Sequence, residues 1–449
     1  MKMQATRRSF MKAVLAAGAA PMIVPTGVVR AQDGKPTPNN RLNLACIGLG
    51  WPGCKDTDAL SGENNIAALC DVDATCAPDF RKKYPGAKSY QDYRRMWDEQ
   101  EKVLDAVIVA TPDHTHAVLA MEAIRRGKHV YCEKPLAHSI GEVRALMRAA
   151  KEHKVVTQLG NQGHSSEETR LFCEWIADGA IGQVHTLHAG SKSVNSGIDR
   201  LAEARAGAPV PANFDWDLWL GPAQPRPYSP AYAPFSWRGW VPFGNGTLGD
   251  WACHVLGPAF RGLDLGAPAT VVAEIKDYPQ EVRGEVFPKG EVVTFEFAAK
   301  GARGPLTLKW FGGTEPIPRP PELEADRGPV ETGAIVFGDK GTLMYGSHGA
   351  GGLRMIPEAK MREYKRPAPT LPRVRGGHEQ DWARAVREGN TSCSDFSVGG
   401  PLTEIALLGV IAVHLAGTKL AWDASAMRFT NCEAANAFLQ PPYRKGWSL

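Results

Sequence analysis

A short apolar run followed by three spaced glycines constrains the fold of this chain more than any other feature. Residues 42–47 have the composition of a buried strand and lead directly into Gly48, Gly50 and Gly53. Glycines at this G-x-G-x-x-G spacing permit a tight turn and a close approach of the backbone to a ligand's phosphates, and the next helix begins with free N–H groups. The pattern predicts a strand, a phosphate-binding loop and a helix.

The residues downstream of the loop have the spacing of a dinucleotide site. A second apolar run, residues 66–70, ends at Asp71, eighteen residues after Gly53. A carboxylate there accepts hydrogen bonds from the ribose hydroxyls and repels a 2′-phosphate, which favours NAD over NADP. The alternative is that Asp71 only begins a turn. We favour the cofactor interpretation and assign Leu49 and Trp51 to the same loop.

Two further apolar runs end in polar clusters. Residues 106–110 lead into Thr111 and Pro112, with His116 close behind, and residues 129–132 lead into Glu133-Lys134-Pro135. A helical pattern at residues 117–126 separates the two runs. Strands that alternate with helices predict a parallel sheet covered on both faces, with ligands at the carboxyl ends of the strands.

The N-terminus has the pattern of an export signal. Residues 6–12, Thr-Arg-Arg-Ser-Phe-Met-Lys, resemble the twin-arginine motif, and a weakly apolar run follows at residues 13–24. Residues 29–31 form a small-residue cleavage site, so we predict a signal peptide over residues 1–31 and a linker over residues 32–40. The alternative is a basic tail. Export of a folded protein by this route would carry a trapped cofactor out of the cytoplasm.

Charge and cysteine content exclude several classes of protein. Residues 1–31 carry five basic and no acidic residues, so the other residues hold 47 basic and 48 acidic side chains. Such a balance does not favour nucleic acid or an anionic membrane as a partner. The nine cysteines form no C-x-x-C pair, which disfavours a zinc ribbon. We find no later run with the composition of a membrane span.

The pattern changes after residue 160. Residues 292–297 and 306–310 alternate, and residues 335–337 and 341–345 have the pattern of a hairpin, so a half-buried sheet is predicted. Residues 403–415 predict a core helix, and residues 379–387 predict another helix. We therefore expect two domains, at residues 41–160 and 161–449.

A glycine-rich segment, residues 243–257, holds the best catalytic candidates of this second half. Asp250 and His254 are four residues apart and share one face of a predicted helix. Three other interpretations stay open: Asp250 as a helix N-cap, His254 as a core histidine, or both with His164 as metal ligands. No compact His/Cys cluster favours a metal, and we predict none.

The aromatic-rich segment at residues 214–240 is the next candidate region. Aromatic faces stack on sugars, and Arg238 can bond hydroxyls, although most of these rings suit packing. Arg238 and Trp240 are the substrate candidates nearest to Asp250. His164 is a further candidate, and His378 is a weaker one.

Taken together, these motifs resemble the Gfo/Idh/MocA family (glucose–fructose oxidoreductase, inositol dehydrogenase, rhizopine catabolism). The resemblance runs in order from about residue 41 to about residue 423, and Glu133-Lys134-Pro135 is its most specific part. It implies an N-terminal Rossmann doubly wound parallel sheet, a C-terminal α/β domain with a large, mostly antiparallel open sheet, and a homodimer or homotetramer. It also implies tightly held NAD and a small-molecule sugar or glycoside substrate.

The resemblance also distributes roles among the residues. Lys134, Asp250 and His254 are the predicted catalytic residues, with either Lys134 or His254 as the base. The predicted cofactor-binding residues are Gly48, Leu49, Gly50, Trp51, Gly53, Asp71, Thr111, Pro112, His116, Glu133, Lys134 and Gln162. The predicted substrate-binding residues are Lys134, His164, Arg238, Trp240, Asp250 and His254.

Three functions agree with this sequence. The first is a periplasmic or secreted NAD-dependent oxidoreductase that acts on a sugar or glycoside hydroxyl. The second is a redox-assisted glycoside hydrolase, lyase or epimerase, which Lys134 disfavours because glycosidase relatives often lack it. The third is a non-catalytic sugar-binding module, disfavoured by the intact Lys134, Asp250 and His254.

Overall fold

The computed structural model describes residues 36–449, which contain two β-sheets and the helices packed on them. The predicted signal peptide, residues 1–31, and residues 32–35 of the predicted linker lie outside the described residues. The strands are β1 (Asn43–Ile47), β2 (Asn65–Cys70), β3 (Lys88–Tyr90), β4 (Ala106–Val109), β5 (His129–Glu133), β6 (Thr157–Gly160), β7 (Val184–Ser191), β8 (Thr270–Glu274), β9 (Gly290–Phe297), β10 (Leu306–Gly313), β11 (Thr332–Gly338), β12 (Thr342–Gly346), β13 (Arg354–Ile356), β14 (Leu420–Asp423) and β15 (Arg428–Phe429).

Helices follow most strands of the first half and frame the sheet of the second. The α-helices are α1 (Trp51–Ser61), α2 (Pro78–Lys83), α3 (Tyr93–Gln100), α4 (Asp113–Arg125), α5 (Ile140–His153), α6 (Glu167–Ala177), α7 (Leu201–Ala206), α8 (Trp216–Leu220), α9 (Gly246–Gly262), α10 (Ser347–Ala350), α11 (Glu358–Glu363), α12 (His378–Glu388), α13 (Phe396–His414) and α14 (Glu433–Asn436). Short 3-10 helices occur at Pro38–Asn40, Gln162–Ser165, Ile198–Arg200, Ser236–Gly239 and Gln280–Val282.

The first sheet is parallel throughout, with the strand order β3-β2-β1-β4-β5-β6. Its central strands are buried on both faces, as expected for a sheet with helices on each side. The strand order reverses between β1 and β4, so the connections that follow these two strands lead away in opposite directions and leave a crevice at their carboxyl ends. The prediction of a doubly wound sheet is confirmed.

The second sheet has nine strands in the order β13-β12-β11-β7-β10-β9-β8-β14-β15. Its pairs are antiparallel except for β7 with β10, which run parallel. Residues alternate between buried and half-buried positions along β9, which explains the period-two pattern in the sequence. The predicted hairpin is present as β11 and β12. The predicted large, mostly antiparallel sheet is therefore confirmed.

Helix α13 and residues 357–372 differ most from the sequence expectation, and α4 begins at Asp113, four residues before the predicted start. Helix α13 begins at Phe396, seven residues before the predicted start, because the Asp395 side chain caps its N-terminus through the Ser397 amide. By length and composition alone, α13 is the one helix among residues 36–449 that could cross a membrane. The sequence pattern predicts no segment of this kind after the N-terminus. Of the most apolar 18-residue window of α13, 83% is buried inside the protein, as expected for a core helix. Residues 357–372 were expected to be only a surface connection, but they include helix α11.

Residues 42–449 form one compact unit, and its largest hydrophobic core includes side chains from both sheets. The first sheet ends with β6 at Gly160, and β7 begins the second sheet at Val184. The division into domains at residue 160 stays a prediction.

Candidate active site

A cavity with a volume of about 1210 Å³ lies at the carboxyl ends of the parallel strands. It is lined by the residues that follow β1, β2, β4 and β5, and also by residues of α9 and of the segment before it. Parallel sheets bind ligands in this position because a crevice is open where the connections after two neighbouring strands lead to opposite faces of the sheet. The cavity is therefore our candidate active site.

The glycine loop, residues 48–53, forms one wall of this cavity. Gly48 has φ +91°, and a Cβ atom there would lie 2.6 Å from the Ala110 carbonyl oxygen. A Cβ on Gly53 would lie 2.0 Å from the Gly48 carbonyl oxygen, so both glycines are required by backbone packing. Around Gly50 the nearest atom to such a Cβ would be Pro52 Cδ at 3.9 Å. Gly50 therefore leaves space on the cavity side for a ligand.

Asp71 is tied to the same loop. Its Oδ2 accepts a hydrogen bond from the Leu49 amide at 2.7 Å, and its Oδ1 accepts one from the Asp73 amide at 2.9 Å. Burial raises the pKa of Asp71, while these two bonds act in the opposite direction. Each oxygen has a further lone pair, so this carboxylate can still accept a hydrogen bond from a ligand hydroxyl in the cavity.

A buried carboxyl pair lies behind the start of α1. Neither Asp56 oxygen has a hydrogen-bond donor among the described residues. Burial, and then the negative charge of Glu133, raise the pKa of Asp56 well above its usual value. Glu133 is itself bonded to Gln162 Nε2 at 3.0 Å and to the Lys134 amide at 3.2 Å. Glu133 therefore holds the Gln162 side chain at the cavity wall.

His116 connects two strand ends. Its Nδ1 lies 2.8 Å from the Pro135 carbonyl and its Nε2 lies 2.7 Å from the Thr111 carbonyl. Burial lowers the pKa of His116, while its contacts with the two backbone carbonyls act in the opposite direction. His116 therefore holds the residues after β4 and β5 in register at the cavity wall.

Four side chains from distant parts of the chain meet in what we call the Lys134 cluster: Lys134, Asn195, Arg238 and Asp250. Lys134 Nζ lies 2.5 Å from Asp250 Oδ1 and 2.9 Å from the Asp250 carbonyl oxygen. Arg238 Nε donates to the same Oδ1 at 3.0 Å, and Asn195 Nδ2 donates to Oδ2 at 3.0 Å. Asp250 is thus held by two cations and an amide.

The charge state of this cluster follows from its contacts. Burial alone would raise the pKa of Asp250, but the charges of Lys134 and Arg238, with the hydrogen bonds from Lys134 and Asn195, bring it well below its usual value. Asp250 lies in the first turns of α9, whose N-cap is Asn245, so it is not the N-cap. An ionised Asp250 keeps the Lys134 ammonium directed toward the cavity.

His254 lies one turn further along α9 and also lines the cavity. Burial, the Lys134 charge and His348 hold the pKa of His254 well below 6.5, against the opposing charge of Asp250. Its Nδ1 has no hydrogen-bond partner within residues 36–449. At neutral pH His254 is therefore an uncharged imidazole that can accept a proton.

His348 is a site residue that the sequence did not indicate. Its ring stacks on His254 with centroids 4.1 Å apart, and it lines the cavity. His348 has φ +55°. A Cβ on Gly163 would lie 2.1 Å from the carbonyl carbon of His348, so the backbones of these two turns are in direct contact. No local motif marks this contact, because residues 163 and 348 are far apart in the chain.

Asp113 is a second such residue. It is buried, lines the cavity, and accepts a hydrogen bond from Asn245 Nδ2 at 2.9 Å. Burial raises its pKa to about 6 against the charges of Arg238 and Lys134. The sequence did carry a signal for Asp113, because this residue directly follows Thr111 and Pro112 at the carboxyl end of β4.

The structure brings thirteen of the predicted site residues to this one cavity. They are Gly48, Gly50, Trp51, Asp71, Thr111, Pro112, His116, Glu133, Lys134, Gln162, Arg238, Asp250 and His254. Leu49 and Gly53 do not line it but shape the glycine loop. Trp240 is buried, and its Nε1 donates to the Ala231 carbonyl at 2.9 Å.

Two of the predicted histidines lie elsewhere. His164 is buried and lines a different cavity, and His378 is buried with its Nε2 2.7 Å from the Leu159 carbonyl. In the part of the chain that the structure describes, no group of three or more His, Cys, Asp or Glu side chains could hold a metal ion.

The cavity fits a nicotinamide dinucleotide. The start of α1 has no side-chain cap, so its amides are free for phosphate oxygens, and Gly50 leaves room for them. Asp71 is available for a ribose, and Glu133, Lys134 and Gln162 lie on the other strand ends. A bound nicotinamide would supply the hydride acceptor or donor.

Comparison with protein families agrees with this geometry. Residues 42–161 match the oxidoreductase family Gfo/Idh/MocA, NAD-binding Rossmann fold, and residues 192–286 match the C-terminal alpha/beta domain of the same family. Two regions of the chain, one in each half, therefore match models of the Gfo/Idh/MocA family. The matched residues include the glycine loop, Lys134 and Asp250.

Curated relatives match part of their length. A levoglucosan dehydrogenase of Pseudarthrobacter phenanthrenivorans is 27% identical over 254 residues, which cover 53% of this chain and 56% of the relative. A myo-inositol 2-dehydrogenase of Thermotoga maritima is 26% identical over 153 residues, covering 34% and 45%. A 2,7-anhydro-N-acetylneuraminate hydratase of Escherichia coli is 31% identical over 161 residues, covering 36% and 42%. The match therefore spans about half the length of these proteins.

Solved structures share the fold over most of the chain. A levoglucosan dehydrogenase in complex with NADH has a TM-score of 0.55 and 19% identity, covering 84% of this chain and 98% of that chain. An aldose-aldose oxidoreductase from Caulobacter crescentus complexed with glycerol has a TM-score of 0.54 and 18% identity, covering 85% and 100%. At these identities the likeness shows the common fold.

Proposed function

We propose that this protein is an NAD-dependent oxidoreductase that moves a hydride between a secondary hydroxyl of a sugar or glycoside and a tightly held nicotinamide cofactor. The observation that carries the proposal is the arrangement of the Lys134 ammonium and the neutral His254 in the cavity that holds the glycine loop. The named relatives that act on levoglucosan and inositol support a polyhydroxylated substrate.

The proton chemistry follows from the two side chains. His254 is uncharged and accepts the hydroxyl proton, while Lys134, held in place by its bonds to Asp250, stabilises the developing alkoxide. The alternative assignment of Lys134 as the base would require it to give up a proton while bonded to an ionised carboxylate. Arg238 and Asn195 keep Asp250 in place and can bond neighbouring hydroxyls.

The choice of NAD over NADP is part of the proposal. Asp71 and Asp73 line the cavity after β2, and a 2′-phosphate near them would be repelled. The charge of Arg81 acts on Asp71, but Arg81 Nε is bonded to the Cys76 carbonyl and Arg81 does not line the cavity.

The deciding experiment uses mature protein purified without added cofactor. Aryl glycosides and free sugars are added while the absorbance of reduced nicotinamide and the release of aglycone are followed. Persistent reduction without aglycone release is the expected result. Aglycone release without lasting reduction would replace the proposal by transient-redox cleavage, and no nicotinamide in the protein even after NAD is added would exclude both.

We further propose export by a twin-arginine signal at residues 1–31, which rests on the order of basic, apolar and cleavage segments in the sequence. A fusion of residues 1–40 to a reporter should reach the periplasm, and the Arg7→Lys, Arg8→Lys double variant should retain it in the cytoplasm. We also propose a homodimer or homotetramer, which light scattering of the mature protein would test.

A further inference from the structure

A second cavity, of about 550 Å³, lies apart from the candidate active site. Its charged and polar lining side chains are His164, Arg170, Arg261, Asp264, Arg373, Asp381, Arg384, Thr391 and Cys393. None of these residues lines the main cavity. Four of them are arginines, and their charges are compensated to different extents.

Two of the arginines have carboxylate partners. Arg373 bonds Glu174 at 2.5 Å and Glu167 at 2.8 Å, and Arg384 bonds Asp381. Asp381 also accepts from the Cys393 amide at 2.7 Å. The other acid of the lining, Asp264, is exposed and pairs with Lys300 at 2.6 Å. These acids are therefore occupied by partners other than Arg170 and Arg261.

Arg170 is a buried cation without a counter-ion. It is only 2% exposed, and its Nη1 donates to the carbonyl oxygens of His164 and Ser166. Its Nε has no acceptor, and no carboxylate bonds its guanidinium within residues 36–449. Burial lowers the pKa of Arg170, and the nearby Arg261 charge acts in the same direction. Leaving such a charge uncompensated is costly, unless an anion occupies the neighbouring space.

Arg261 lies at the same cavity in the last turn of α9. It is half-buried, and in the described chain its side chain has neither a hydrogen bond nor an ion pair. Its charge reaches both Arg170 and His164, whose pKa values it helps to lower. Two guanidinium groups without carboxylate partners thus line the same open space.

His164 completes the set. It is 2% exposed, and neither ring nitrogen has a partner in the part of the chain that the structure describes. Burial, followed by the charges of Arg261, His378 and Arg170, lowers its pKa to about 3. The neutral ring therefore has one N–H that no protein acceptor uses.

We propose that this second cavity binds a small oxyanion, either a phosphate group or a carboxylate, through Arg170, Arg261 and His164. Guanidinium groups bind such anions through parallel charge-assisted hydrogen bonds, and the anion would supply the counter-charge that Arg170 lacks. The volume also admits the organic part of a small phosphorylated or carboxylated molecule. The proposal does not depend on the function proposed for the main cavity.

The test is calorimetric titration of the mature protein in excess NAD with sodium phosphate and, separately, sodium succinate. Excess dinucleotide occupies the glycine loop, which could otherwise bind phosphate. One of the two anions should bind with a stoichiometry of one, and which one binds identifies the ligand class. No binding of either anion above sodium chloride at equal ionic strength would overturn the proposal.

Variants locate the binding. Arg261→Gln should raise the dissociation constant of the anion on the order of tenfold, since a hydrogen bond to a charged group is lost. Arg261→Lys should retain part of the affinity. Arg261 has no partner in the fold, so both variants should melt like the wild type. Arg148→Gln is the matched control, because Arg148 is exposed and lies outside both cavities. Equal affinity of Arg261→Gln and the wild type would exclude this site.

Discussion

The glycine loop and the Lys134 cluster face the same cavity, but they are built in different ways. The loop is a continuous segment whose shape depends on local sterics at Gly48 and Gly53. The cluster joins Lys134, Asn195, Arg238 and Asp250. Its first and last members, Lys134 and Asp250, are 116 residues apart in the chain. Both regions occupy strand ends or helix starts, where side chains and amides are left without regular partners.

This difference separates two kinds of requirement. The loop has to turn tightly and leave space for phosphates, and glycine at three fixed positions meets this requirement within a single short segment of the chain. The cluster has to supply charge and proton chemistry, which depends on burial and on which charges lie within a few ångströms. Substitutions in the loop should therefore affect binding and stability, and substitutions in the cluster should affect turnover.

The largest expected effect is that of Lys134→Met. It removes the ammonium that stabilises the alkoxide, while Asp250 keeps its bonds to Arg238 and Asn195, so kcat should fall by about 10³-fold. NAD affinity, measured by fluorescence titration, should change little. Lys151→Met is the control, since Lys151 is exposed. Unchanged kcat would contradict the assignment of Lys134 as the group that stabilises the alkoxide.

His254→Asn should reduce kcat by about 10²-fold, as expected for loss of a general base. For the wild type, kcat/KM should be constant above about pH 6.5 and decline at lower pH, because protonation of His254 removes the base and its pKa lies well below that value. The variant should lose this acid limb. His348→Asn is the comparison variant, and its pH profile should keep the limb. An acid limb that persists in His254→Asn would assign the proton to another group.

Within the loop, two glycines should separate stability from binding. Gly50→Ala should leave the melting temperature unchanged but weaken the binding of NAD on the order of tenfold. The new Cβ atom would face the open space where the phosphates approach. Gly48→Ala should cost about 1–3 kcal/mol of folding free energy, because of its positive φ and the Ala110 carbonyl. Thermal melts and NAD titrations check both. The distinction fails if Gly50→Ala unfolds at lower temperature.

The smallest expected effect is that of Asp71→Asn. The amide retains an acceptor for one of the two backbone N–H groups but loses the charge that repels a 2′-phosphate. The ratio of kcat/KM for NADP to that for NAD should rise several-fold, on the order of threefold to tenfold. Steady-state kinetics with both cofactors measures it, and Asp73→Asn serves as the comparison. An unchanged ratio would mean that Asp71 only shapes the loop.

The sequence predicted the architecture well where local pattern and tertiary structure agree. Strands β1, β2, β4 and β5 and the pairing of Asp250 with His254 on α9 follow from periodicity and spacing. The start of α13 was missed because the expectation followed the apolar run from residue 403, whereas the helix begins at its Asp395 cap. Trp240 and His164 were selected by residue type and nearness in the chain. Burial gives Trp240 a packing role and places His164 at the second cavity.

What the sequence by itself determined is the alternation of strands and helices in the first half, the glycine loop and the identity of the residues at the strand ends, because each is marked by a pattern within a few residues. Only the tertiary structure decided that Asn195 and Arg238 both hold Asp250, that His348 stacks on His254, and that Arg170 and Arg261 are left without carboxylates. The pKa values of buried groups and the pairing of charges depend on which distant segments fold together, and this information is absent from any single stretch of the chain.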